Sequence, residues 1–287
     1  MSPSTVPANP GPENPGIERL ERPSRAVFER DYVTRGQPVI LTGITDDWPA
    51  RRWTPEQLVA AGGESAVRVP FAESGDFFSW FKEGGQSAPR ILFRELLERI
   101  TGDHEDRRFY MQEQPLGDIS PALLDDVDMS AYTETREPAL FLGRETFMPC
   151  HYHGHTEALL CQLRADKEVT LFSPDQFGKL YAHPWYSRRY QFSRVDPRNP
   201  DLEQFPRFSG AQPLTFTLAE GEVLYIPVHW WHTTACPHFN FNVTFFWPSK
   251  LKRFHFPSPG LQYQAHWLLH SVAMRPLQFA KGALGKS

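Results

Sequence analysis

Two groups of histidines stand out as residues that could bind a metal ion. In the segment 150–157, His151 and His153 lie two positions apart, and a second group contains His229 and His232. Alternate residues of a β-strand face the same side, so His151 and His153 could point together into a barrel. A distant strand would add His232. Three imidazoles on one face suit iron, zinc, copper or nickel, whereas a lone histidine more often bonds to the backbone.

The elements that would position these histidines are mainly short strands. From about residue 108 onward, short runs of β-formers are separated by turn residues, a pattern typical of a sandwich or barrel. The predicted strands are 38–43, 108–112, 139–143, 158–163, 168–172, 213–218, 223–226 and 239–247. The pair 158–163 and 168–172 flanks an Arg-Ala-Asp turn and predicts a β-hairpin. Helices are predicted at 24–33, 54–63 and 90–101, and in the tail from Gly260.

Composition excludes several classes of protein. The chain has 287 residues, 40% of them hydrophobic and 22% charged, which is enough for a core and excludes global disorder. A formal net charge of −4 argues against a dedicated binder of nucleic acid or anionic membranes, although it leaves a local basic patch open. No apolar run approaches the roughly 18 residues of a membrane span. Without a secretory signal pattern, and with three cysteines and no CxxC pair, we expect a cytoplasmic protein.

The chain is predicted to contain one folded domain with an extension at each end. Residues 1–16 are rich in proline and predict a disordered lead-in. Residues 17–255 form the main domain, and 256–287 form a C-terminal helical extension. This helix either pairs two subunits into a homodimer or packs on its own barrel, and the sequence leaves both arrangements open.

Ordered motifs across the second half of the chain resemble one known family. They are Leu-Phe-Ser-Pro-Asp-Gln at 171–176, the Val-Asp to Phe-Pro stretch at 195–206, and Gly-Glu-Val-Leu-Tyr-Ile-Pro at 221–227, which leads into Trp-Trp-His at 230–232. The chain therefore resembles the cupin-fold, JmjC-related Fe(II)/2-oxoglutarate oxygenases over roughly residues 17–250. It is similar to the group of the hypoxia-factor asparaginyl hydroxylase and the tRNA-wybutosine hydroxylase. The resemblance implies a mainly β, double-stranded β-helix, the cupin or jelly-roll barrel, with flanking N-terminal helices and a C-terminal helix.

The resemblance also implies roles for individual residues. His151 matches the first iron ligand of the family and His232 the distal one. Lys167 matches the lysine that pairs with the far carboxylate of 2-oxoglutarate, and Tyr110 matches a tyrosine that contacts the same carboxylate. A lysine ammonium and a phenol deep in a barrel would give this dianion two charge-assisted hydrogen bonds. Asn242 and Thr244 are further candidates for contacts with the co-substrate, although neither matches the family's asparagine clearly.

One position departs from the family pattern. The family places Asp or Glu two residues after the first histidine, where this chain has His153. His153 could be the third ligand of a three-histidine site. A longer loop could instead bring Glu157 to the metal with His155 or His151, or the site could have lost its metal. With three neutral histidines Fe²⁺ keeps its +2 charge, so dianionic 2-oxoglutarate would give a neutral complex and is not forbidden.

The sequence therefore predicts an oxidoreductase, a non-haem iron dioxygenase that uses Fe(II), 2-oxoglutarate and O₂ as a hydroxylase. Its unknown prime substrate would be a protein side chain, a modified nucleoside or a small molecule, and no membrane partner is expected. One alternative is a three-histidine cupin dioxygenase independent of 2-oxoglutarate, in which Lys167 would hold a substrate carboxylate. Another is a non-catalytic cupin-like binding protein.

Overall fold

The computed structural model describes residues 16–83, 88–102, 106–135, 137–269 and 271. Most of the predicted lead-in 1–16 and most of the extension 256–287 therefore lie outside the described residues. No helix within these ranges is long and apolar enough to cross a membrane.

Strands dominate the described chain. They are β1 (Arg19–Glu21), β2 (Val39–Thr42), β3 (Ala66–Arg68), β4 (Arg90–Leu92), β5 (Tyr110–Pro115), β6 (Ala139–His151), β7 (Thr156–Arg164), β8 (Lys167–Phe172), β9 (Leu214–Leu218), β10 (Val223–Ile226) and β11 (Trp231–Pro248). The α-helices are α1 (Arg25–Phe28), α2 (Pro55–Gly62), α3 (Phe77–Glu83), α4 (Phe93–Thr101), α5 (Leu116–Ile119) and α6 (Gly260–Leu268). A π-helical turn (Glu29–Val33) continues α1, and 3₁₀ turns lie at Pro49–Arg52, Pro121–Asp126, Pro174–Lys179, Pro206–Gly210 and Leu251–Arg253.

The long strand β11 connects the two halves of the barrel. It pairs antiparallel with β6 from His232↔His151 to Thr244↔Ala139, with register shifts between His232 and Thr234 and between Cys236 and Phe239. The first part of β11 also pairs with β8 and its second part with β7. Within the described residues, nine strands thus form one mixed sheet that folds into a cupin, or jelly-roll, arrangement. The predicted fold class is confirmed.

The predicted hairpin of 158–163 with 168–172 is wrong. β7 pairs with β10 and β11, whereas β8 pairs with β9 and β11, so the two strands are not neighbours. The chain turns sharply between them at Ala165, which has a positive φ of 60°. The Gln162 side chain stabilises this corner, because its Nε2 donates to the carbonyls of Arg164 and Ala165 at 2.9 and 2.7 Å.

The ends of several other elements differ from the prediction. Residues 90–92 form β4 and pair with β3, so the helix predicted at 90–101 begins only at Phe93. β6 and β11 are much longer than the predicted 139–143 and 239–247, and most of the additional residues of each strand are buried. The main core lies between this sheet and the N-terminal helices and includes Phe28, Leu58 and Leu97.

The N-terminus of α2 offers a direct test of the local structure. The Thr54 hydroxyl accepts from the Gln57 amide, and the Gln57 side chain accepts from the Thr54 amide, which forms a capping box. We expect Thr54→Ala to lower the free energy of unfolding by about 1 kcal/mol, measured by urea denaturation. The Gln57 amide loses its acceptor, the Thr54 hydroxyl, and the reciprocal bond of the capping box loses its support. Thr54→Ser, which keeps the hydroxyl, should stay close to the wild type. Equal losses in both variants would contradict the capping role.

Candidate metal centre

Three histidines meet inside the barrel, and we refer to His151, His153 and His232 as the metal triad. His151 ends β6 and lies directly opposite His232 in the register with β11, while His153 follows two residues after His151. One nitrogen from each ring lies within 4.8 Å of the nitrogens of the others. The centroids of the His151 and His232 rings are 4.1 Å apart. The structure therefore brings together the three histidines that the sequence singled out as ligand candidates.

Backbone carbonyls orient two of the three rings. Nδ1 of His151 lies 2.9 Å from the Pro149 oxygen, and Nδ1 of His232 lies 3.1 Å from the Trp230 oxygen. A carbonyl can only accept, so Nδ1 of each ring carries the proton and Nε2 keeps its lone pair for a metal. Nδ1 of His153 is buried and has no hydrogen-bond partner within the described residues.

Burial keeps the triad neutral. It lowers the pKa of His151 to about 4, and burial with the neighbouring histidines lowers the pKa of His153 to about 3. Burial also places the pKa of His232 well below its ordinary value. Imidazole must be deprotonated to bind a metal, so near pH 7 these rings are already in the ligand form.

A buried pocket extends from the triad into the barrel, and we call it the inner pocket. Lys167, at the start of β8, is only 1% exposed and lines this pocket. Its ammonium makes no ion pair within the described residues, and burial lowers its pKa to about 8. Tyr110, Thr244 and Asn242 line the same pocket, and the Thr244 hydroxyl donates to Oδ1 of Asn242 at 2.9 Å.

Sequence reasoning missed some residues of this pocket. Thr234 and Met148 line it beside the triad, and so does Glu113. Thr234 could have been found, because it alternates with His232 along β11 and so faces the same side. Glu113 could not have been found in this way, because its orientation depends on a local irregularity of β5.

Glu157 does not face the metal triad. Its carboxylate is fully buried and accepts hydrogen bonds from Tyr225 at 2.6 Å, Ser249 at 2.6 Å and Arg253 at 2.7 Å. His155 instead stacks on Tyr263, with ring centroids 5.3 Å apart. The alternative in which Glu157 pairs with His155 as a ligand is therefore not what this structure shows, because three donors already hold the carboxylate elsewhere.

A larger opening lies above the triad, and we call it the outer cavity. Its volume is about 720 Å³, which is within the usual range for ligand pockets. The triad residues His151 and His153 form part of its floor, and Trp80, Phe81 and Phe192 form an aromatic wall. Phe192 also stacks on His151, with ring centroids 5.2 Å apart. A substrate in the outer cavity would therefore lie directly against the metal triad.

A jelly-roll barrel that carries a histidine cluster in its interior defines a cupin-type protein. Comparison with known proteins agrees, because residues 24–253 match the family described as a cupin-like domain. The chain therefore belongs to the cupin-like domain family, and its resemblance to the JmjC-related proteins is confirmed.

Several curated proteins are similar to this chain. It is 30% identical to lysine-specific demethylase 8 of Danio rerio over 243 residues, which are 80% of this chain and 58% of that protein. It is 26% identical to JmjC domain-containing protein D of Dictyostelium discoideum over 238 residues, 75% and 53% of the two chains. It is 27% identical to human tRNA wybutosine-synthesizing protein 5 over 253 residues, 80% and 77% of the two chains. The chain thus spans only about half the length of the first two relatives.

The Glu157 network predicts a structural effect that is separate from metal binding. Glu157→Gln leaves the partly buried Arg253 guanidinium without its charged partner, so we expect the free energy of unfolding to fall by about 1–3 kcal/mol in urea denaturation. Metal bound per folded protein should stay unchanged. Glu29→Gln, at the exposed pair with Arg25, should cost less than about 1 kcal/mol. Loss of metal with intact stability in Glu157→Gln would contradict this assignment.

The neutral triad also predicts a pH dependence of stability in the metal-free protein. The folded-state pKa values of about 4 for His151 and about 3 for His153 lie below the ordinary value of 6.5. The unfolded chain therefore binds more protons below pH 6.5, and stability falls with falling pH. We expect a loss of about 1–2 kcal/mol per buried histidine between pH 7 and pH 5, measured by urea denaturation.

His153→Gln should reduce this loss, whereas replacement of the exposed His238 by alanine should not change it. A wild-type stability that stays constant between pH 7 and pH 5 would contradict the burial of neutral histidines.

Proposed function

We propose that this protein is an Fe(II)- and 2-oxoglutarate-dependent oxygenase, in which His151, His153 and His232 bind the iron. The observation that carries this proposal is the pairing of two features in one pocket. A metal-binding set of neutral imidazoles lies at one end, and the buried, unpaired ammonium of Lys167 lines the same space. A buried charge without a partner is costly, so a pocket of this kind is built for an anionic ligand.

The residues present fit both groups. The three imidazole nitrogens lie within 4.8 Å of one another and would supply three ligands to the iron, with the keto acid and a further ligand as the remaining donors. When bound, Fe(II) supplies oxidative chemistry with O₂ as the co-substrate and 2-oxoglutarate as the two-electron reductant, and the expected outcome is hydroxylation of a C–H bond. Three neutral ligands leave +2 on the metal, which balances the two negative charges of 2-oxoglutarate.

The protein's own residues would position the co-substrate. Lys167 and Tyr110 would bind its far carboxylate through one charged and one neutral donor, and Thr244 would add a third contact. The apolar side chains of Leu160, Ile226 and Phe246 line the same pocket and exclude water from it. Exclusion of water strengthens the attraction between the ammonium and the carboxylate. The prime substrate would enter through the outer cavity, as a protein side chain, a modified nucleoside or a small molecule.

A second function is favoured by the identity of residue 153. Histidine replaces the carboxylate ligand expected there, and three-histidine sites suit dioxygenases whose substrate itself chelates the metal. Lys167 would then hold a carboxylate of that substrate. In both proposals the cytoplasmic location and a homodimer through the C-terminal helix remain predictions.

An anaerobic titration of the metal-free protein with Fe(II), with and without 2-oxoglutarate, tests the proposal. We expect iron to bind in both cases and a visible charge-transfer band to form only when both are present. His151→Ala and His232→Ala should abolish iron binding. Lys167→Met should keep iron binding and weaken 2-oxoglutarate by tenfold or more, because the dianion loses its charged partner.

His155→Ala is the matched control, because this histidine belongs to the same segment but stacks on Tyr263 instead of joining the triad. Its titration should equal that of the wild type. Iron binding without the band would favour the 2-oxoglutarate-independent dioxygenase. The absence of iron binding would contradict both enzymes and leave a non-catalytic binding protein.

A further inference from the structure

The third histidine of the metal triad is held differently from the other two. His153 lies in the loop 152–155 between β6 and β7, which we call the ligand loop. The rings of His151 and His232 are each oriented by a backbone carbonyl. Nδ1 of His153 has no such partner within the described residues, although Phe246 packs edge-on against its ring, with centroids 5.4 Å apart. The position of the His153 ring therefore depends largely on the backbone of the ligand loop.

His229 holds the middle of the ligand loop through two hydrogen bonds. Its backbone amide donates to the carbonyl of His153 at 3.2 Å, and Nε2 of its ring lies 3.1 Å from the carbonyl oxygen of Gly154. The first and last carbonyls of the loop accept hydrogen bonds from Gln191 and Ser249. The two carbonyls nearest the third ligand thus share one donor residue.

The two partners of the His229 ring fix its tautomer. Nδ1 accepts a hydrogen bond from the backbone amide of His255 at 3.0 Å, so it carries no proton. Nε2 therefore carries the proton and donates it to the carbonyl of Gly154. The ring is fully buried and packs edge-on against Tyr152 and Phe254, with centroids 6.0 and 4.9 Å apart. In its neutral form, His229 thus connects the ligand loop to the residues that precede the C-terminal extension.

The backbone of His229 adopts a conformation that is unusual for a residue with a side chain. Its φ is 69°, in the left-handed region, where histidine and asparagine are found more often than most residues other than glycine. Such a conformation costs free energy and persists only where the surrounding contacts hold it in place. Here the three hydrogen bonds and two ring contacts of His229 do so. Strain of this kind beside candidate metal ligands suggests a role in the site itself.

Helix α6 and a neighbouring tyrosine also restrict the ligand loop. A Cβ atom at Gly154 would lie 2.7 Å from Cδ2 of Tyr263, on α6, and 2.9 Å from the hydroxyl oxygen of Tyr190. Both distances are shorter than a Cβ atom tolerates, so only glycine fits here without movement of these rings. The loop is therefore held by close packing as well as by the hydrogen bonds from His229.

We propose that His229 is a positioning residue of the metal site, which holds the ligand loop so that the His153 ring binds the metal as its third ligand. A carboxylate at position 153 would be attracted to the metal by its charge. A neutral imidazole lacks that attraction and depends more on being placed correctly in advance. The proposal deepens the function proposed above. It rests on metal binding by the triad, but not on 2-oxoglutarate or on turnover.

Cu(II), added at one equivalent to the metal-free protein, tests the proposal, because its electron spin-echo spectrum counts the coordinated imidazoles. We expect three imidazoles in the wild type and two in His229→Asn, with a Kd that is weaker by about tenfold or more. Asparagine tolerates the positive φ and keeps an acceptor for the His255 amide, but it is too short to reach the carbonyl of Gly154. His229→Gln keeps a donor for that carbonyl, so it should retain three imidazoles and a Kd within about threefold of the wild type.

A double-mutant cycle separates positioning from a general loss of stability. In the His153→Ala background, His229→Asn should change the Kd by less than about twofold, because no third ring remains to be positioned. A residue that only stabilises the fold would weaken binding equally in both backgrounds. His155→Asn is the matched control, because it makes the same side-chain change in the same loop and leaves the backbone bond from Ser249 in place. Its spectrum and Kd should equal those of the wild type.

Gly154→Ala tests the same hydrogen bond from its other end and replaces His229→Asn if that variant does not fold. The added methyl group displaces the loop, so two imidazoles are again expected. Three imidazoles in the folded variant, or equal weakening in both backgrounds of the cycle, would overturn this proposal alone and leave the iron titration intact. A wild-type protein that binds no Cu(II) would overturn it together with the proposed metal site.

Discussion

The antiparallel pairing of β11 with β6 is the contact on which the rest of this structure depends. It places His232 opposite His151 at one end and Thr244 opposite Ala139 at the other. Because β11 also pairs with β8 and then with β7, it fixes the position of Lys167 relative to the same histidines. A shift of one residue in this register would turn the His232 side chain to the opposite face of the sheet. His232 would then no longer lie beside His151 and His153.

The interior that this pairing creates contains polar side chains that are nevertheless buried. Backbone carbonyls orient the rings of His151 and His232 there, and the Thr244 hydroxyl donates to Asn242. Lys167 differs from these groups, because its side chain can carry a charge and has no anionic partner within the described residues. The Glu157–Arg253 pair shows that the fold provides a partner where a buried charge is structural. An unpaired buried ammonium beside the metal triad is therefore what supports the proposed anion site.

The sequence was a good guide wherever a pattern reflects backbone geometry. The alternation of His151 and His153, the cap at Thr54 and the strand at 223–226 all depend on local rules, and the structure has each of them. The hairpin of 158–163 with 168–172 failed because β11, distant in sequence, pairs with both segments. The position of Glu113 in the lining of both cavities was missed because a bulge depends on the register of two strands, which a single sequence does not display.

The replacement of a carboxylate by His153 gains significance when it is considered together with Glu113. A carboxylate ligand would add one negative charge to the metal centre, while Glu113 places a negative charge at the entrance to that centre. The two features have different effects, because the charge of a ligand would act on the metal, whereas the charge of Glu113 would act on the substrate. In the proposed function, uncharged ligands would leave more positive charge on the metal to attract an anionic co-substrate from the inner side. The Glu113 carboxylate would disfavour a second anion where the two cavities meet, so the two ends of the site would differ in the charge of the ligand that they favour.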